Sequence, residues 1–295
     1  MALADPFAPT DPLEARPAPE RVNYATGVML QADDFEAEQT YHRGRLAQLT
    51  RYLLGHGTLA GLRVVGPGTD DNLLELKVEP GLAIDRHGRL IEIPAAQCIR
   101  LAPWFAAQDG RLLRAATQDA PRTPLPQAVV ADLFLSAQSC GRGKTPSFAS
   151  GPFDALDALV PARIGETGHL ELVLRMEGNP DPDGGPGVPG DIPKPRNFWP
   201  GAGADADAML AAVLGSWDVG FASSADATLD GLQEHVPGKD PSAVLLARVA
   251  IPVTLDRASP ASVGPTLEPT QAVSADQSLR PLIYFPGKWL GLATT

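Results

Sequence analysis

From Asp33 to Leu54 the apolar and polar positions follow a helical period. Phe35, Gln39, His42, Leu46, Leu49 and Leu53 recur at spacings of 4, 3, 4, 3 and 4, which places them on one seam along a helix. Asp33 stands where an N-cap belongs, Glu36 follows three residues later, and Gly55 suits a C-cap, so the helix is expected at about 34 to 54. Such a seam has to pack against something, either the rest of this chain or another subunit.

Beyond the helix the period changes to two. "GTLAGLRVV" (57–65) reads as a strand, and "LLELKVEPGLAIDRHGRLIEIP" (73–94) as three more, divided at Glu79-Pro80-Gly81 and at Arg86-His87-Gly88. Alternation through Leu74, Leu76 and Val78 suits half-buried antiparallel strands, and Pro-Gly suits a tight turn. Further strands are expected at 128–137, 168–176 and 242–253, with a last extended piece at "LRPLIYF" (279–285). A helix over Asp205–Trp217 would cover one side of a sheet. The stretches 139–161 and 177–203 are too long for hairpin loops, and loops of that length are usually functional or disordered. The first 20 residues hold five prolines and several acids, and read as an extended arm that adds little to an isolated core.

The predicted fold class is therefore α+β, mainly β: an N-terminal amphipathic helix followed by an antiparallel β-rich body with long Pro/Gly loops. The parts are the arm (1–20), a helical segment (21–62), the body (63–176), a Gly/Pro-rich loop (177–203) and a helix with strands completing the body (204–295). No repeat of fixed period occurs, which argues against solenoids and propellers.

Composition changes the picture mainly by exclusion. A net charge of −11 leaves no field for phosphates, so nucleic acid is not an expected partner. Two cysteines, Cys98 and Cys140, imply no disulfide framework and fit a reducing compartment. The start of the chain lacks the basic and apolar regions of a signal peptide, and no apolar run reaches the roughly 20 residues that cross a bilayer. Membrane insertion is not expected; assembly in the cytoplasm is, with release, if any, as part of a particle.

Asp34, Glu38 and His42 share a helix face as metal ligands would. The di-iron pattern needs Glu-x-x-His, however, and Gln39 stands three residues before His42. No His-Glu-x-x-His occurs either, so the expectation is Glu38–His42 pairing on the helix surface or a half-buried His42, with no metal and no cofactor. Gly143-Lys144-Thr145 ends like a phosphate-binding loop, but Gln138 replaces its first glycine and Pro146 opposes the helix that must follow, so an exposed turn is expected. His56, His87, His169 and His235 have no neighbours of a catalytic triad in sequence, although distant residues can meet in space. Cys98 reads as a small buried side chain. Among Trp104, Trp199, Trp217 and Trp289, the pair Phe198 and Trp199 in the Gly/Pro loop is the best candidate for a contact surface, for a carbohydrate ring or for a protein.

One set of residues carries a resemblance. Tyr24, Gly27, Leu30, Asp34, Phe35, Glu38 and Gln39 lead into the helix, and His56, Gly57, Gly61 and Leu62 follow it. This order resembles the start of a family of bacterial proteins found with phage-tail-like contractile injection systems. "VEPGLAIDRHGRLIEIP" (78–94) is similar to that family's Pro-Gly-x-Ala-x-Asp-x-x-Gly-x-x-Ile signature, and "PARIGETGHLELVL" and "LLARVAI" are weakly so. The middle strand departs from the family's Arg-Tyr and proline-rich continuation. The resemblance implies an assembly role at a baseplate or spike periphery, with other particle subunits and further copies of the chain as partners, and no particular chemistry. The alternatives are a fibre-like module that binds a carbohydrate or cell surface, and a hydrolase with a site gathered from distant residues.

Overall fold

The computed structural model describes residues 11–15, 17–67, 74–120, 123–146, 159–177, 229–260 and 262–283. The expected helix over 205–217, nearly all of the Gly/Pro loop, Phe198, and Trp199, Trp217 and Trp289 lie outside these residues. The described part is mainly β, with antiparallel strand pairing throughout its sheets and a few helices.

Helix α1 spans Ala32–Leu54. It begins earlier than the expected Asp33 cap because Gln31 occupies the N-cap and its N–H donates to Asp34 Oδ2 at 2.8 Å, so that Asp34 closes the first turn. Gly55 ends the helix as expected, with a φ of 78°.

Six short strands follow in two three-stranded sheets. Strands β1 (Gly57–Gly61), β4 (Gly81–Ile84) and β5 (Leu90–Ile93) make one, in the order β1-β4-β5. Strands β2 (Val64–Val65), β3 (Glu75–Val78) and β6 (Gln97–Arg100) make the other, in the order β2-β3-β6. The turn at Pro80 therefore does not fold β3 back on β4. It passes the chain from one sheet to the other, tied by Leu62 N–H to the Pro80 carbonyl at 3.1 Å. Gly61, at a φ of 65°, crosses this junction where a Cβ would stand 2.2 Å from the same carbonyl oxygen, so only glycine fits.

Two short helices, α2 (Leu101–Ala106) and α3 (Gly110–Ala115), were not expected from the sequence; they bury Leu101, Phe105 and Leu113. A large sheet completes the body. Its central order is β11 (Arg163–Leu174), β8 (Gln127–Arg142), β12 (Val244–Thr254), β13 (Thr266–Leu267), with β7 (Thr117–Asp119) on β8 and β14 (Ser274–Asp276) on β12. Strands β8 and β11 pair without interruption from Ala131↔Leu174 to Arg142↔Arg163, and a ribbon of β9 (Thr145–Pro146) and β10 (Leu159–Val160) continues past them. The stretch taken as irregular from residue 139 is thus strand at both ends.

One core joins the three sheets. Leu62, between β1 and β2, and Leu76 and Ile91 of the small sheets meet Leu133, Leu246 and Ile251 of the large one. On the other face of the large sheet, Phe134, Val173, Ala243 and Leu245 form a smaller cluster. Asp132, fully buried in β8, accepts from Arg248 Nε at 2.7 Å and Nη2 at 2.9 Å across the strand pair. Arg175, also fully buried, lies 3.6 Å from the same carboxylate and 3.1 Å from Glu177. A one-residue slip of β8 on β12 would strand these charges, so the pairs fix the register.

Candidate interaction surface

The body holds α1 by a face of small and polar residues. Ala47 is its one buried residue. The turn Asp85–Arg89 between β4 and β5 presses on it at Gly88, and Leu13, in a 3-10 turn over Pro12–Glu14, lies over Gly44. Asp11 joins the three parts. It accepts from Arg43 of α1 at 3.2 Å and from Arg89 at 3.2 Å, while Arg89 Nε donates to Asp85 Oδ2 at 2.7 Å and Arg43 reaches Glu166 of β11 at 2.8 Å. Asp11 and Leu13 are buried. The expectation of an arm with nothing to bury is corrected for this segment: its leucine and aspartate find a site that only the tertiary fold creates.

The predicted seam faces the opposite way. Phe35, Leu46, Leu49 and Leu53 are 52, 66, 60 and 71% exposed, and Gln39 and His42 are exposed between them. Tyr24, Val28 and Met29, ahead of the helix, extend the same kind of surface. Among the described residues, then, the seam is not packed on the β-body, which was one of its two expected fates. The physical reason lies in Gly44 and Ala47, which let the helix backbone approach the body, whereas bulky leucines would hold it off.

No metal cluster forms on this helix. His42 Nε2 and Glu38 Oε1 are 2.9 Å apart, the surface pair expected from their spacing, while Asp34 is occupied by the N-cap. Among the described residues no group of three or more His, Cys, Asp or Glu is placed to hold a metal ion. Nor, among them, is any helix long and apolar enough to cross a membrane. Gly143 and Lys144 form an exposed turn between β8 and β9, as expected. Cys98 is exposed, against expectation, because it sits on an outward position of β6. Trp104, on α2, packs partly buried against the core.

Near the end of α1, His56 lies within charge range of the sequence-distant His235, and His87 shares Arg86 and Arg51 with His56 as charged neighbours. His56 and His87 are pushed down to about 4, chiefly by burial and further by Arg86 near His56 and Arg89 near His87. His235 is lowered as well, again by burial first. Its Nδ1 accepts from the Leu232 N–H at 3.0 Å, so Nε2 carries the proton and donates to the Ala243 carbonyl at 2.9 Å; the ring stacks on Phe134. Both nitrogens are committed to backbone, which suits a packing role better than proton transfer to a substrate.

No protein-family model matches the chain, and no curated protein matches it. Among solved structures, a crystal structure of TssK is 16% identical at a TM-score of 0.29, over 56% of this chain and 36% of that one. A baseplate complex from the type VI secretion system is 15% identical at 0.25, over 53% of this chain and 48% of that one. The chain thus spans less than half the length of either. Likeness of this degree establishes neither a shared overall fold nor a shared role.

Proposed function

We propose that the chain is a non-enzymatic assembly subunit of a contractile injection particle or related phage tail, peripheral to the baseplate or spike, and that its α1 seam is a subunit contact. The observation that carries this reading is the outward apolar stripe of α1. Four large apolar side chains on one seam are held away from the body by a fold that had a helix face to bury and buried the small one instead. Scattered exposed leucines are ordinary on a protein surface; a seam of them at coiled-coil spacing marks a contact. The motif order from Tyr24 to Leu62, and again from Val78 to Pro94, supports the particular kind of assembly.

The test is to tag the chain in the cell that makes it, purify particles by sedimentation, and identify what travels with it. Sheath, tube and baseplate proteins in fixed ratio to the tagged chain are the expected result. A tagged chain that never sediments with such proteins, whatever its expression level, would overturn the reading.

A further inference from the structure

The partner of the seam can be read from the positions that flank it. Resting on the assembly role above, we propose that α1 pairs with the α1 of a second copy of this chain as a parallel two-stranded coiled coil, with Gln39 against Gln39 and His42 against His42 as its central layers.

The first argument is spacing. Gln39, Leu46 and Leu53 fall on one heptad position, and Phe35, His42 and Leu49 on the other, for three heptads in 23 residues. A strict 3.5-residue repeat keeps a seam facing one partner helix, whereas a helix lying on a sheet tolerates a broader stripe. The second is access, because the body grips α1 at Gly44 and Ala47, on the side away from the seam, so a second helix meets no obstacle from the described residues.

The third argument sets orientation and chooses a copy of this chain over an unrelated helix. Glu38 and Arg45 flank the seam on one side, and Glu36, Arg43 and Thr50 on the other. In a parallel pair Glu38 faces Arg43 of the second copy, twice by symmetry, and Arg45 faces Thr50, so no like charges meet. The Glu38 side chain, whose Oε1 holds His42, is 25% exposed. Arg43, which also binds Asp11 and Glu166, keeps its side chain 37% exposed. Turned antiparallel in the same layers, Arg45 would face Arg45 and Arg43 would face Arg43. Gln39 and His42 would then lie against Leu49 and Leu46, with no polar group opposite. Only the parallel arrangement lets the amides and the imidazoles meet their own kind, as polar layers that fix register in coiled coils do.

Sedimentation velocity of the full chain over a concentration series tests the pairing. The wild type should show a concentration-dependent monomer–dimer equilibrium. Leu46→Asp with Leu49→Asp should be monomeric throughout, and Gln39→Leu with His42→Leu should tighten the dimer about tenfold or more, because apolar layers replace polar ones. Orientation is read by oxidation of a Leu53→Cys variant lacking Cys98 and Cys140: a parallel pair yields the 53–53 disulfide. In an antiparallel pair these positions stand about 27 Å apart, and Leu53→Cys would link only to Phe35→Cys. A wild type that is monomeric at every concentration, a dimer indifferent to the aspartates, or a 35–53 link alone would each overturn the proposal. A monomeric chain that still enters particles through the seam would do so too, and would show that a different subunit covers it, leaving the assembly role standing. A parallel dimer that never enters particles would uphold the pairing and remove the assembly role.

Discussion

Gly88, at the tip of the turn between β4 and β5, rests on the backbone of Ala47 in α1: a Cβ added to Gly88 would stand 1.9 Å from the Ala47 carbonyl oxygen. The helix is therefore seated by contact of backbone with backbone, and the turn, at a φ of 86°, is shaped to reach it. Gly88→Ala combines a steric conflict with an unfavourable left-handed conformation, and should cost about 2–4 kcal/mol in urea melts. Gly27→Ala shares the left-handed conformation but has open space around it, and should cost about 1 kcal/mol. Equal losses in the two variants would show that seating the helix plays no part.

The segment over α1 adds to the same joint. Leu13→Ala should cost about 2–4 kcal/mol, as removal of a buried leucine does. Asp11→Ala leaves Arg89 and Arg43 without a shared carboxylate, and loss of one member of a buried ionic group is of comparable size. Thermal or urea unfolding of the two variants measures both, and wild-type stability in either would return this segment to the loose arm expected from its prolines.

How much of this joint could be read beforehand depends on distance along the chain. The seam was legible because six residues share one local period, and Glu38–His42 because it is an i,i+4 pair. That the seam faces away from the body was not. Its direction is set by Gly44 and Ala47 meeting Leu13 and Gly88, residues far apart in sequence whose contact no period records. Asp11, Arg43, Arg89 and Glu166 likewise span more than half of the chain. One signal was present: Asp85 and Gly88 belong to the signature that carries the family resemblance, and both serve the turn, Asp85 Oδ1 accepting from the His87 and Arg89 N–H groups. The strands failed differently. Leu76 and Val78 alternate as expected and are buried, whereas in β5 it is Ile91 and Ile93 that are buried while Leu90 and Glu92 face outward. Strand β8 extends five residues past its expected end at 137, because polar Gln138, Ser139 and Arg142 pair with β11 beyond the core.

In the large sheet, Asp132→Ala leaves Arg175 and Arg248 together with no carboxylate between them. A loss of about 3–5 kcal/mol is expected. Replacing Asp132, Arg175 and Arg248 together by apolar residues of similar volume should recover part of it, which would attribute the loss to unpaired charge and not to volume. No recovery in the triple variant would attribute it to packing.

Stability should fall in mild acid. His56 and His87 hold their protons only below about 4 in the folded chain, against about 6.5 when unfolded. As pH drops from 6.5 the unfolded chain binds protons that the folded chain refuses, so stability declines down to about pH 4 and then stops responding to these two groups. Each contributes at most about 3 kcal/mol over that range. Urea melts across the interval, repeated with His87→Asn, should show a shallower slope in the variant; parallel slopes would assign the acid response to other groups.

The central claim is that the outward seam of α1 serves contact with another chain and not the stability of this one. Measured at a concentration where the wild type is monomeric, Leu46→Asp with Leu49→Asp should leave the melting temperature nearly unchanged, since exposed substitutions usually fall within about 0.5 kcal/mol, while abolishing incorporation into sedimented particles. A double variant that melts well below the wild type yet enters particles normally would contradict the account.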